Sequence, residues 1–438
     1  MKNRFLYWCI AIPLFLVPLL RILMLIHQGM WLVDLAGYSA ISKTLFQGIN
    51  PFPDNVDALN QDGIFHFAAK GLVPITYPGQ MPFFSLPGYL WSDALQIGFI
   101  LLNVVLSYLL IGLTLVRACG YQWRDLFSRG GRQLVFGVCC LCFFSSSSVM
   151  NSMRAGQITI ILALCLYGMF WCAGGAKPSP GPSRASRLLV NATCVFLFAF
   201  MAVTKYSVLT VFAPLLFFKG YRKLCVAAFL LFLLFSLSPA FRGNNLADVY
   251  AGYSKAVEIF MQPGQSNHFD SNPMMCHLGF FRLSAANHVL KALVCGMMIW
   301  LVARECKNRY MTDTVLLLAF CLTMLVSYHG LHDLLLVFPL LMARLFDFAR
   351  TRRWKLFGIT LLFPLFLDIP GRVILQVSSW LGKIPRVGSI VYLSDNPFHF
   401  DYLHVFPLTP IFMLALTAWS FYLYLTVEKP YKFELPAG

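Results

Sequence analysis

Runs of apolar residues long enough to cross a lipid bilayer follow one another almost from end to end of this chain, from "FLYWCIAIPLFLVPLL" near its start to "IFMLALTAWSFYLYL" near its end. A helix closes its backbone hydrogen bonds within the segment, and about 20 apolar residues of helix span the hydrocarbon core. Charged residues make up only 12% of the chain, against roughly 25% in a soluble domain. The expected fold is an all-α polytopic membrane protein, a single integral membrane domain over residues 1–438. Spans are expected near residues 5–27, 94–116, 133–150, 157–174, 188–204, 206–219, 223–240, 286–303, 311–328, 331–343, 356–369 and 405–425, twelve in all. The first opens with Lys2 and Arg4 as a signal peptide does, yet it runs past the usual length without a small-residue cleavage site, so it is expected to be retained. Residues 78–91 are apolar but short and interrupted by Pro78, Pro82 and Pro87, which suits a re-entrant or interfacial segment.

The formal net charge of +16 does not indicate a nucleic-acid partner, because the basic residues punctuate apolar runs instead of forming a basic surface. With both termini inside, the inner connections hold 22 Lys and Arg against 6 Asp and Glu, and the outer side holds 12 of each. Such an excess inside is what orients a membrane protein. Three outer segments are long: 28–93, 241–285 and 370–404. Long loops carrying acids, amides and aromatics are where a membrane scaffold places function, so the active face is expected to be the outer one. The thirteen cysteines lie mostly in apolar runs, as Cys139, Cys140, Cys142 and Cys165 do, and read as small core residues.

The first outer segment begins "MWLVDLAGYSAISKTLFQGINPF". Asp34 there is a carboxylate at the membrane exit, suited to accept a proton from a sugar hydroxyl. It also precedes an amphipathic pattern (Leu35, Tyr38, Ala40, Ile41, Leu45), and position alone favours a helix N-cap. Tyr77 belongs to an aromatic cluster that fits either a sugar or lipid contact or an interfacial belt. Arg154 and Lys205 are cations at the outer ends of hairpins, placed to hold a phosphate or to snorkel to the interface. His329, His332 and Asp333 stand together in "SYHGLHDLLLVFP". Their spacing is not that of a zincin helix, and a hydrogen-bonding role is favoured over a metal site. His268, Asp270, His277, Asp395, His399, Asp401 and His404 in the later outer segments read as solvated loop residues.

In order along the chain, "DLAGY" with "GINPF", "TYPG", "AGQITIILAL", the Lys of "VTKY" and "LHDLLL" resemble glycosyltransferase family 87 over about residues 30–340. The resemblance implies a GT-C-like bundle of about twelve transmembrane helices with interfacial helices in the first outer loop. It implies transfer of a sugar, mannose by default and arabinofuranose as runner-up, from a polyprenyl-phosphate donor to a glycolipid or glycan acceptor, with inversion. Asp34 would match the general base, Tyr77 and Pro78 the Tyr-Pro segment, Gly156 and Gln157 the Gly-Gln pair, Lys205 the cation, and His332 with Asp333 the His-Asp pair. Gly79 departs from the family's second Pro, and Tyr206 from the Pro after the Lys. The partners implied are the polyprenyl-phosphate sugar, the acceptor and membrane lipids, with no nucleic acid. No cofactor is expected, a divalent metal being left open. The place implied is the bacterial inner membrane with an extracytoplasmic active site. A lipid-linked-sugar flippase or transporter is the alternative, disfavoured because no internal repeat is visible and the polar groups gather at one interface; a noncatalytic assembly subunit is a third reading.

Overall fold

The computed structural model describes residues 2–27, 32–52, 76–128, 130–175, 184–205, 209, 212–218, 221–261, 284–306, 311–326, 331–366, 408–427 and 432–433. His329, the seven later loop residues named above and the whole segment 370–404 therefore lie outside the described residues. The chain begins with α1 (Lys2–His27) and α2 (Val33–Phe46), then a 3-10 turn at Pro78–Gln80 that leads into α3 (Met81–Tyr89). The long α4 (Asp93–Cys119) is followed by α5 (Trp123–Phe127), α6 (Gly131–Ser145), α7 (Ser147–Ala155) and α8 (Thr159–Gly175). Next come α9 (Arg184–Lys205), α10 (Phe212–Phe218) and α11 (Arg222–Ser236), a 3-10 turn at Ser238–Arg242, α12 (Leu246–Met261) and α13 (Ser284–Glu305). The last part holds strand β1 (Met311–Thr312), α14 (Asp313–Val326), a 3-10 helix at Leu331–Leu336, α15 (Phe338–Arg350), α16 (Trp354–Phe366), α17 (Leu408–Thr426) and strand β2 (Lys432–Phe433), which pairs antiparallel with β1.

Local chemistry sets several boundaries. Ser92 caps α4 by accepting from the Leu95 N–H at 3.3 Å. At α5, the Asp125 carboxylate accepts from the Gln122 N–H at 2.9 Å and from Arg132 at 2.6 Å, which together hold its pKa below the ordinary carboxylate value.

Among the described residues, four stretches are long and apolar enough to cross a bilayer: Tyr7–Met24, Asp93–Cys119, Leu188–Lys205 and Arg222–Arg242. Twelve were expected from the apolar runs. Helices α8, α13, α14 and α17 are each continuous over one other expected span, whereas the expected span 133–150 is cut by Ser146, whose extended backbone (ψ 130) separates α6 from α7. The expected span 331–343 is split between the 3-10 helix and α15, which then continues to Arg350. Helix α14 is covered on all sides from Asp313 to Leu325 and forms the centre of the bundle, packed by α13, α15 and α17. Helices α4, α11 and α13 instead turn Leu101, Val105, Phe229, Leu230, Val289 and Ile299 outward. Apolar side chains displayed this way are those of a membrane protein, whose solvent is lipid tail. Cys139 and Cys140 are buried as expected, but Cys142 is exposed, because it falls on the outward face of α6.

The far end of α15 carries a buried ionic group. Arg344 and Asp347 are almost fully enclosed, 3.8 Å apart, and Arg350 reaches the other Asp347 oxygen at 3.3 Å. Asp313 at the start of α14 and Arg117 at the end of α4 are near enough for their charges to act together with Arg344. Removing one partner from such a group strands a buried charge, at about 3–5 kcal/mol. Arg344→Ala is therefore expected to lower the unfolding temperature in detergent clearly, whereas Arg132→Ala, on the exposed side of an ion pair, should change it little.

At the opposite end of α15, the 3-10 helix Leu331–Leu336 packs on α7 and α8. Helix α2 lies against α3, α7 and both earlier 3-10 turns. These contacts bring the ends of five segments, far apart in sequence, to one place.

Candidate active site

Helix α2 starts at Val33, so Asp34 sits inside the first turn instead of at the N-cap, and no side-chain bond caps this helix. The preceding residue, Leu32, is fully buried with φ 26 and ψ 42, a left-handed backbone that a branched side chain rarely adopts. The Asp34 carboxylate turns away from its own helix and accepts a hydrogen bond through Oδ2 from Gln157 Nε2. Gln157 is buried, and its Oε1 accepts from the Tyr38 hydroxyl at 3.4 Å. Tyr38 lies one turn beyond Asp34 on α2, the i, i+4 spacing that puts both on one face.

Gln157 reaches Asp34 because of the turn before it. Helix α7 ends with Gly156 at φ +73, and the Gln157 N–H bonds back to the Ser152 carbonyl at 2.9 Å, the 6→1 bond of a Schellman turn. A Cβ at position 156 would stand 2.9 Å from Leu35 Cβ and 3.1 Å from Leu32 Cα. The glycine thus serves both its left-handed backbone and the close approach to α2. Gly156→Ala is expected to push the turn off α2, destabilising the protein by about 1–3 kcal/mol. Any activity that depends on Asp34 should fall further than the loss of folded protein explains, which thermal unfolding and turnover measured on the same preparation would check.

The second half of the site is an ion pair. Lys205, the last residue of α9, donates to Asp333 Oδ1 on the 3-10 helix, and the Thr159 hydroxyl stands 3.5 Å from the same oxygen. Asp333 is 1% exposed at its side chain, whereas the Lys205 side chain keeps 18%. His332 precedes Asp333 on the same 3-10 helix. Arg154 is half-buried in the last turn of α7, three residues before Gln157.

The charges of Lys205 and Asp333 both act on Asp34, which makes these groups one electrostatic unit. Burial pushes the Asp34 carboxyl up to about 6; the Gln157 bond and the Lys205 charge pull it down, and Asp333 adds a smaller upward push. Asp34 nevertheless keeps partial accessibility. That accessibility leaves a side from which a hydroxyl group can reach Asp34.

Tyr77 stands behind this unit. Its ring stacks on Phe232 with centroids 5.8 Å apart, meets Tyr250 and Tyr253 edge-on, and its hydroxyl is 2.9 Å from Ser236 Oγ. A side chain at Gly79 would strike that ring at 2.7 Å, so the expected Pro position is filled here by the tyrosine itself. Gln80, on the same 3-10 turn, donates to the Thr204 carbonyl at 3.0 Å and so fixes the end of α9 next to Lys205.

The structure therefore gathers Asp34, Gln157, Lys205 and Asp333, sets Arg154 one turn away, and places Tyr77 in an aromatic wall. The sequence reading missed Tyr38, Gln80 and Thr159. Tyr38 was counted in the apolar pattern of α2, although its i+4 relation to Asp34 was visible. Thr159 is within "AGQIT", two residues past Gln157.

Residues 76–327 match the model of glycosyltransferase family 87. Comparison with curated proteins and with solved structures gave no match. The matched stretch is narrower than the 30–340 expected from the motifs. It holds Tyr77, Arg154, Gly156, Gln157 and Lys205, while Asp34, His332 and Asp333 lie beyond it and are brought to the matched residues by the fold.

Proposed function

Because the chain belongs to glycosyltransferase family 87, we propose that this membrane glycosyltransferase takes its sugar from a polyprenyl phosphate and delivers it to a glycolipid or glycan hydroxyl on the extracytoplasmic face. The sugar we assign is mannose. Asp34 removes the proton of the acceptor hydroxyl; the hydroxyl oxygen bonds to the anomeric carbon as the bond from that carbon to the phosphate oxygen breaks. Polyprenyl phosphate leaves and configuration inverts, so no enzyme carboxylate need attack the sugar. The observation that carries this reading is the state of Asp34: a partly accessible residue whose carboxyl is raised to about 6 by burial, within reach of the Lys205 charge. A base whose pKa lies near neutrality is efficient at physiological pH. Lys205, whose side chain is partly accessible, would with Arg154 and His332 offset the charge that develops on the leaving phosphate. The ion pair with Asp333 offsets part of the Lys205 charge, which makes Arg154 the second cation this reading requires.

The test is transfer of labelled mannose by the purified protein in detergent, with polyprenyl-phosphate mannose as donor and membrane lipid extract as acceptor. Transfer to a lipid or glycan product supports the reading. Transfer only from polyprenyl-phosphate arabinofuranose would change the sugar and keep the mechanism. Failure with both donors, together with movement of the lipid-linked sugar across reconstituted vesicles, would replace the enzyme by a flippase. The face is tested separately by an impermeant thiol reagent on a Gln47→Cys variant lacking the exposed native cysteines, since Gln47 at the end of α2 is exposed.

A further inference from the structure

Both ends of the Gln157 amide are engaged by α2: its nitrogen donates to Asp34 Oδ2 and its oxygen accepts from the Tyr38 hydroxyl. An ionised carboxylate can only accept, so the face of the amide toward Asp34 must be the NH2 face. The reversed amide would set two acceptor oxygens against each other, and the Tyr38 hydroxyl, which can donate, favours the orientation seen. The two anchors lie four residues apart on one helical face, about 5–6 Å between their Cβ atoms, a distance one amide can bridge. We propose that Gln157 is a positioning residue that holds Asp34 by one oxygen and leaves the other to take the acceptor proton, with Tyr38 fixing which way the amide stands. This rests on the assignment of Asp34 as the base.

The same turn also sets the distance between the base and the cation. Two residues after Gln157, Thr159 stands by the Asp333 oxygen that accepts from Lys205. One short stretch, 156–159, therefore has a hold on both halves of the site, and Gly156 allows it to lie against α2. A proton acceptor displaced by about 1 Å costs on the order of 10²-fold in rate.

The proposal separates from a direct substrate contact by three readouts. In Gln157→Leu, kcat is expected to fall about 10- to 100-fold with KM for donor and acceptor little changed. Loss of a hydrogen bond to the ionised form raises the Asp34 pKa, so the acid limb of the kcat/KM profile should move to higher pH. Tyr38→Phe, which keeps the ring, should move that limb the same way by less. A rise in KM at unchanged kcat, or an unmoved acid limb in both variants, would overturn the proposal. A measurement without substrate decides it independently of turnover: infrared titration of the Asp34 carboxyl, its band assigned by Asp34→Asn. Equal midpoints in wild type and Gln157→Leu would sink the positioning role even if the transferase reading stands, and a higher midpoint in Gln157→Leu supports it even if the donor has been misassigned.

Discussion

Asp34→Asn is expected to lower sugar transfer about 10³-fold, within the range general-base catalysis contributes, while the protein remains folded and more resistant to heat than wild type at pH 7. The stability half follows from the sign of the pKa shift. The folded-state carboxyl is raised from 3.8 to about 6, chiefly by burial, so the folded state holds the proton more tightly than the unfolded one. Its favourable contribution is complete below the unfolded pKa and is lost as pH rises through about 6. Asn carries no charge to desolvate and still offers Gln157 an acceptor. The difference in unfolding temperature between variant and wild type should thus be largest above pH 6 and shrink toward pH 4. A variant that keeps full turnover would remove Asp34 from the chemistry; one that melts earlier than wild type at pH 7 would show that the carboxylate stabilises the fold. In wild type the acid limb of the rate profile should fall near pH 6, since only the ionised form accepts the proton.

Lys205→Met is expected to fail on both stability and turnover. Asp333 is 1% exposed and its cation is Lys205, so the methionine leaves a buried carboxylate without that charge, at about 3–5 kcal/mol. Turnover should fall by roughly 10²-fold or more, because a fixed cation aimed at the developing phosphate charge is lost as well. Lys205→Met combined with Asp333→Asn separates the two effects. The neutral pair should recover most of the unfolding temperature, since the stranded charge is gone, and recover little of the turnover. Full recovery of turnover in the double variant would assign Lys205 to structure alone.

The membrane character of the chain was legible from composition and run length, because lipid selects for apolar residues one segment at a time and the requirement is local. So was the gathering of the chemistry-bearing residues at hairpin ends, where charge cannot be buried in hydrocarbon. The breaks inside two of the expected spans were not. Hydropathy sums over a window and does not register the extended Ser146 between α6 and α7, or the 3-10 geometry at Leu331–Leu336. Asp34 was legible as an acid in a distinctive place, but whether it capped its helix depended on which backbone the helix start adopts, and the left-handed Leu32 put the cap elsewhere.

By itself, then, the sequence determined residue type and local period: the apolar helices, and an acid, an amide, a cation and a His-Asp pair awaiting partners. Only the tertiary structure decided the pairing. Gln157 meets Asp34 across 123 residues, and Lys205 meets Asp333 across 128. Such separations leave no periodic trace along the chain, because the partners are chosen by how helix ends pack and by the need of each buried polar group for a bond. The Asp34 carboxyl owes its raised pKa to the same cause, since desolvation comes from the elements packed around it and not from the residue itself.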